Sequence, residues 1–80
     1  MKAKIWTRPG CKWCVKAKRL LTDEGYDLDE YFVDGVNLKK EDMLEEIPSA
    51  STYPQIFIDG EYIGGYEDLT WWLEGERGLD

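Results

Sequence analysis

The sequence contains no histidine and only two cysteines among its 80 residues. A structural zinc site generally needs four cysteine or histidine ligands, so one chain of this composition cannot supply them. Two cysteines also cannot form the set of disulfides that stabilises many domains of this size. We therefore expect the fold to depend on ordinary packing of a small core, to which the hydrophobic residues, 42% of the chain, contribute.

Long apolar segments are also missing. No stretch approaches the roughly 20 apolar residues that cross a bilayer. The first six residues alternate lysine with apolar residues and do not form the apolar region of a signal peptide. We expect no membrane association and a cytoplasmic protein. In that reducing compartment, a closely spaced cysteine pair is more often catalytic or metal-binding than structural.

Acidic residues outnumber basic residues by 17 to 10, and the formal charge of −7 argues against nucleic acid as a partner. The two signs are unevenly distributed. Residues 1–22 contain seven basic residues and no acidic residue, whereas residues 23–80 contain every acidic residue and three basic ones. Both cysteines lie in the basic stretch, where positive charge favours a thiolate and attracts an anionic substrate. A solvated basic helix face is the alternative interpretation.

The apolar pattern predicts the element order β-α-β-α-β-β-α. Strands are predicted at 2–7, 27–33, 55–58 and 61–63, and helices at 12–24, 38–47 and 67–74. In the first helix, Val15 and Leu20 are expected to widen the apolar stripe that Cys14, Ala17 and Leu21 form. We expect one α/β domain over residues 1–80, with a four-stranded mixed sheet and three helices.

Cys11 and Cys14 lie where the first predicted strand gives way to the first helix, which is the position of a thioredoxin-like Cys-x-x-Cys pair. The helix N-terminus, Arg8 and Lys12 should lower the pKa of the Cys11 thiol, and Cys14, one turn further, should be more buried. We predict that Cys11 attacks a substrate disulfide and that Cys14 resolves the mixed disulfide. The alternatives are a structural disulfide, half of an intermolecular metal site and two incidental core thiols. A disulfide that closes so short a loop would add little stability.

Three segments resemble the glutaredoxin family in order and spacing: residues 4–18 around the cysteine pair, residues 52–58 and residues 64–69. The resemblance implies a thioredoxin-like fold and a glutathione-dependent oxidoreductase that reduces protein disulfides and glutathione mixed disulfides. From the composition, we expect no metal in its site. It also implies the partners, which are glutathione and disulfide-bonded or glutathionylated proteins, with ribonucleotide reductase as a family expectation. We expect a monomer.

The resemblance further implies where glutathione would bind. In the family Pro54 is cis, and the backbone of Tyr53 is then free to pair with the ligand as an added strand would. Thr52 flanks that edge, and Arg8 meets the glycyl carboxylate. Trp13 forms one wall of the groove; the alternative is that it is a partly exposed packing residue.

The other end of the implied glutathione site is the start of the last helix. Gly65 allows close approach, and the backbone N–H groups of Tyr66 and Glu67 face the γ-glutamyl carboxylate. Asp68 either accepts a hydrogen bond from the ligand's ammonium group or caps the helix. The negative charge of Glu67 would weaken carboxylate binding unless its side chain turns to that ammonium group.

The sequence departs from the family pattern at two places near the cysteine pair, and two other functions stay open. The segment Cys-Lys-Trp-Cys replaces the common Cys-Pro-Tyr-Cys, and Tyr53 replaces the usual valine. One alternative is a redoxin that takes electrons from thioredoxin reductase and passes them to ribonucleotide reductase. The other is a secondary activity, in which two chains hold a [2Fe–2S] cluster through Cys11 of each chain and two glutathione molecules.

Overall fold

Four strands and three helices follow one another in a computed structural model that describes residues 1–76. The strands are β1 (Lys2–Thr7), β2 (Asp27–Phe32), β3 (Gln55–Ile58) and β4 (Glu61–Gly64). The helices are α1 (Lys12–Asp23), α2 (Lys40–Glu46) and α3 (Tyr66–Glu76). The order β1-α1-β2-α2-β3-β4-α3 confirms the predicted element order.

The strands form one mixed sheet in the order β2-β1-β3-β4. β1 and β2, which α1 connects, are parallel, and the other two pairs are antiparallel. The turn between β3 and β4 uses Asp59 and Gly60, both with positive φ (49° and 84°), as a tight two-residue hairpin requires. Because β1 is central, the loop after it, which carries Cys11, and the first turn of α1, which carries Cys14, lie at the middle of one end of the sheet.

The core lies on both faces of this sheet. On one face, apolar residues of β1 and β3 pack against α1 and α3: Ala3, Ile5, Ile56, Ile58, Ala17, Leu21, Leu69 and Leu73. On the other face, Trp6 and Val33 pack under α2 with Met43, Ile47 and Ala50. Helices therefore cover both faces, and the thioredoxin-like α/β fold predicted from the sequence is confirmed.

The structure corrects one predicted core residue. Val15 is 61% exposed and does not widen the buried stripe of α1. It lies on the flank of the helix and lines a surface groove beside the cysteines, so its apolar side chain is not covered by the sheet. Leu20, by contrast, is partly buried and packs against the core as predicted.

The second helix is shorter than predicted and begins at Lys40 rather than at Leu38. The reason is Asp34, whose carboxylate accepts hydrogen bonds from the backbone N–H groups of Val36, Asn37 and Leu38 and holds this segment as a loop. Other boundaries shift by one or two residues: β2 ends at 32, β4 ends at 64, and α3 runs from 66 to 76.

Candidate active site

The two cysteines form a disulfide at the N-terminus of α1, with their Cα atoms 5.3 Å apart. Cys11 is the N-cap residue, and its Sγ accepts a hydrogen bond of 3.2 Å from the backbone N–H of Cys14. Cys11 is 9% exposed and Cys14 is 2% exposed. The outer sulfur is therefore that of Cys11, while Cys14 faces the core, which is the asymmetry expected from the helical spacing.

Uncompensated positive charge near the cysteines covers a smaller region than the basic stretch of residues 1–22 suggested. Four of the seven basic residues in the first 22 face carboxylates at 2.6 to 4.0 Å: Lys2, Lys4, Lys18 and Arg19. Among the side chains of residues 1–75, no carboxylate lies within ion-pair distance of Arg8, Lys12 or Lys16. These three cations lie instead over aromatic rings of the active-site region, so the uncompensated positive charge is concentrated around the disulfide.

Next to the loop that precedes Cys11, a groove of about 670 Å³ runs beside the segment before β3; we call it the cis-proline groove. Its lining includes Arg8, Thr52 and Tyr53, together with Asp34 and Lys40. The guanidinium carbon of Arg8 lies 5.6 Å from the centre of the Tyr53 ring. Three residues predicted to bind glutathione are thus brought together in one groove.

The remaining predicted residues link this groove to the start of α3. The Tyr53–Pro54 peptide bond is cis. A Cβ on Gly65 would lie 3.6 Å from the carbonyl oxygen of Pro54, so the two backbones are in close proximity. The rings of Trp13 and Tyr66 are 5.3 Å apart, which brings the residue between the two cysteines against the first turn of α3.

Asp68 caps the last helix. Its carboxylate accepts a 3.1 Å hydrogen bond from the backbone N–H of Gly65, one turn earlier. A Cβ on Gly64, whose φ is +123°, would collide with the same carboxylate. Glu67 is exposed in the first turn beside it. Burial raises the pKa of the nearby Tyr62 hydroxyl, and the negative charge of Asp68 raises that pKa further.

A hydrogen-bond network that the sequence reasoning missed holds the cis-proline segment. Gln55 is buried, and its side-chain amide donates to the Thr52 carbonyl at 2.8 Å and to the Thr52 hydroxyl at 3.2 Å. The Tyr62 hydroxyl donates to the Gln55 amide oxygen. The sequence did contain an indication of this network, namely a glutamine at the start of an otherwise apolar strand. A buried amide requires hydrogen-bond partners, so such a residue predicts polar groups close to it.

A second cluster that the sequence analysis did not predict is centred on Glu30 and borders the disulfide. Glu30 accepts hydrogen bonds from the Thr7 hydroxyl at 2.6 Å and from the Lys18 ammonium group at 2.9 Å. Partial burial raises the pKa of Glu30, but these hydrogen bonds and the charge of Lys18 outweigh it and hold that pKa below its ordinary value. All three residues border a groove whose lining also includes Cys11 and Cys14.

Comparison with known proteins agrees with this geometry. The family model "Glutaredoxin" matches residues 3–63. The chain belongs to the glutaredoxin family. It is 41% identical over 76 residues to Glutaredoxin 3 of Escherichia coli, covering 95% of this chain and 89% of that protein. As a glutaredoxin whose two cysteines form the redox centre, it is a thiol–disulfide oxidoreductase.

Solved glutaredoxin structures have the same fold. The structure of Glutaredoxin 1 from Francisella tularensis in complex with cacodylate superimposes with a TM-score of 0.77 at 34% identity, covering 98% of this chain and 95% of that one. Reduced Escherichia coli glutaredoxin superimposes with a TM-score of 0.79 at 32% identity, covering 98% and 99%. Among residues 1–76, no helix has the length and apolar character needed to span a bilayer, and no group of three or more potential metal-ligating side chains is found in that range.

Proposed function

We propose that this glutaredoxin uses glutathione as its electron donor and reduces protein disulfides and glutathione mixed disulfides. The observation that carries the proposal is the cis-proline groove, where Arg8, without a carboxylate partner in the described part of the chain, lies beside Thr52 and Tyr53. Glutathione is an anionic peptide, and such a groove offers it a cation at one end and exposed backbone along its length.

The other end of glutathione fits the start of α3. The cis Pro54 lies next to Gly65, and the backbone N–H groups of Tyr66 and Glu67 belong to the helix N-terminus, which favours an anion. Asp68 remains available to the ligand's ammonium group through the carboxylate oxygen that does not cap Gly65. Trp13, beside Tyr66, would cover the bound peptide.

The reaction divides between the two sulfurs. The Cys11 thiolate attacks one sulfur of a substrate disulfide; that bond breaks, and the second substrate sulfur leaves as a thiolate and takes up a proton. Cys14 then loses its proton and attacks Cys11, which releases the first substrate sulfur and forms the Cys11–Cys14 disulfide. Two glutathione molecules restore the dithiol and leave as glutathione disulfide.

The donor is tested by assaying reduction of hydroxyethyl disulfide with two electron sources. The first contains glutathione, glutathione reductase and NADPH, and the second contains thioredoxin reductase and NADPH. We expect turnover with the first source only. Turnover with the second source alone would show that the chain is a redoxin of the alternative type. Arg8→Gln should raise the KM for glutathione, whereas Arg19→Gln, a matched exposed change on α1, should leave it unchanged.

We further propose that residues 1–80 act as one domain, as a monomer in the cytoplasm. Support comes from the continuous sheet and from the short spacing of the cysteines, which suits reversible exchange in a reducing compartment. Ribonucleotide reductase is a candidate substrate. Gel filtration of the reduced protein tests the monomer, with elution at twice the chain mass as the contrary result.

A further inference from the structure

A second groove borders the disulfide itself and opens towards the edge strand β2. We call it the β2-side groove; its volume is about 340 Å³, and it is lined by Pro9, Lys12, Val15 and Phe32 together with both cysteines. Thr52, Tyr53 and Gly65 do not border it, whereas Arg8 and Pro9 border both grooves. The disulfide therefore lines a groove that shares Arg8 with the proposed glutathione site but is otherwise separate from it.

The β2-side groove has exposed apolar residues that the fold itself does not need. Val15 is 61% exposed and Phe32 is 44% exposed, and each stands at the margin of an element whose other face is packed. Scattered apolar residues on a surface need no explanation, but here two of them flank the reactive sulfur within one groove. Apolar residues in such a position are suited to contact a partner.

The charge of this groove is opposite to that of the whole chain. Three basic side chains border it, those of Arg8, Lys12 and Lys18, against one acidic side chain, that of Glu30. Lys18 and Glu30 compensate each other at 2.9 Å, which leaves Arg8 and Lys12 to set the sign. On a chain with a formal charge of −7, this positive local field selects an acidic partner.

A protein substrate must contact more surface than glutathione does. Even weak redox complexes bury several hundred Å² on each partner, which is more than a tripeptide site provides. A polypeptide whose disulfide reaches Cys11 must therefore extend past the cis-proline groove, and the β2-side groove is an adjacent surface that has exposed apolar residues and is lined by Cys11.

We propose that the β2-side groove binds the polypeptide segment beside the target disulfide of a protein substrate, and that it prefers an apolar residue next to the cysteine and acidic residues beyond it. This inference rests on the thiol–disulfide exchange of the proposed function but does not require glutathione to be the donor. Specificity for proteins then depends on the β2-side groove, and use of the small thiol depends on the cis-proline groove, with Arg8 at the border of both.

The test is a single-turnover reaction of the reduced protein, without glutathione, so that it is independent of the donor. Three synthetic peptides carry the same closed disulfide, preceded by Glu-Glu-Leu, Glu-Glu-Ser or Lys-Lys-Leu, and hydroxyethyl disulfide serves as the small substrate. The reaction is quenched with acid, and the remaining protein thiols are counted by alkylation and mass spectrometry. We expect the Glu-Glu-Leu peptide to react fastest.

The variants Val15→Gln and Phe32→Gln remove the apolar contacts at exposed positions. Each variant should lower the rate of reaction with the Glu-Glu-Leu peptide about fivefold, which is the loss typical of a residue that contributes strongly to an interface. The rates with the Glu-Glu-Ser peptide and with hydroxyethyl disulfide should stay within about twofold of those of the native protein. The matched control is Trp71→Gln, which changes an aromatic residue that is 71% exposed on α3 and borders neither groove.

The two remaining outcomes are unambiguous. If Val15→Gln and Phe32→Gln both react with the Glu-Glu-Leu peptide as fast as Trp71→Gln does, the groove does not bind the substrate and the inference is wrong. If both variants lower the rate with hydroxyethyl disulfide as much as the rate with the peptide, Val15 and Phe32 affect the reactivity of Cys11 and not substrate docking. This result also overturns the inference. Neither outcome bears on glutathione as the donor.

Discussion

Replacing Glu46 by alanine should destabilise the fold more than any other exposed acidic change on α2. The Glu46 carboxylate accepts hydrogen bonds from the Trp6 indole N–H at 2.8 Å and from the Lys4 ammonium group at 2.6 Å. Through these two contacts, the end of the short helix α2 is fixed to the central strand β1. The Lys4 ammonium group also lies within 6 Å of three ring centres, those of Trp6, Tyr31 and Phe57.

The expected loss follows from the burial of each partner. Trp6 is 4% exposed, so its indole N–H would lose its acceptor in a buried position, at a cost of about 1–3 kcal/mol. The Lys4 and Glu46 side chains are 28% and 35% exposed, and an ion pair of that kind adds only about 0.2–1 kcal/mol. We expect Glu46→Ala to lower the free energy of unfolding by about 2–3 kcal/mol, which corresponds to roughly 10–20 °C in Tm.

Urea denaturation followed by tryptophan fluorescence and circular dichroism measures this loss. Glu46→Gln keeps an oxygen acceptor for Trp6 but loses the charge, so its cost should be about 1 kcal/mol. Glu45→Ala, one residue earlier on the same helix and exposed, is the matched control and should stay within about 0.5 kcal/mol of the native protein. Equal stabilities of Glu46→Ala and Glu45→Ala would refute the reasoning.

Three further predictions concern catalysis, the start of α3 and pH. Cys14→Ser should abolish reduction of protein disulfides but keep deglutathionylation, because only the former needs the resolving thiol; both are measured by coupled NADPH oxidation. Gly64→Ala should lower the free energy of unfolding by about 1–3 kcal/mol, because a residue with a Cβ is strained at the Gly64 φ of +123° and that Cβ would collide with the Asp68 carboxylate. Urea denaturation measures the loss of stability, and the KM for glutathione shows whether the start of α3 is disturbed. The pKa values of Glu30 and Glu46 are both lowered in the folded state. The stability that these carboxylates provide is therefore present above the ordinary glutamate pKa and is lost as the pH falls through the lowered values. Urea denaturation at a series of pH values between about 6 and 2.5 should detect this loss.

Each of these predictions has a contrary result. Loss of both activities in a folded Cys14→Ser variant would show that the roles of the two cysteines are misassigned. For Gly64, the control is Gly75→Ala, a helical position with open space around it, which should be neutral or stabilising; equal effects of the two would exclude the strain argument. Acid stability that is unchanged in a Glu30→Gln, Glu46→Gln double variant would show that these carboxylates do not govern it.

Much of the fold was predictable because its signals are local. The hairpin at Asp59–Gly60 follows from two residues that tolerate positive φ, and the position of the cysteines follows from a strand that ends and a helix that begins. The boundary of α2 was predicted wrongly, because the apolar pattern around Leu38 resembles a helix while the Asp34 carboxylate holds the backbone as a loop. A side chain that competes for backbone N–H groups is not visible in hydrophobic periodicity.

The parts of the site that could not be predicted depend on long-range contacts. Lys4 belongs to the basic stretch of residues 1–22, but it pairs with Glu46, 42 residues away. Lys18 likewise pairs with Glu30 across the loop between α1 and β2. These pairings reduce a broad basic stretch to the few cations near Cys11, and which cations remain depends on the tertiary fold. Val15 shows the same limitation, since helical periodicity does not reveal where the sheet ends.

The outer position of β2 has a consequence for how copies of this chain meet in concentrated solution. In the part of the chain that the structure describes, β2 pairs with no strand except β1, so backbone groups at its other edge could recruit another strand. Asp27, Asp29 and Glu30 occupy half of its six positions. A second β2 that approached this edge would place carboxylates against carboxylates, so edge-to-edge aggregation meets electrostatic repulsion that weakens as salt is added or acid neutralises these groups.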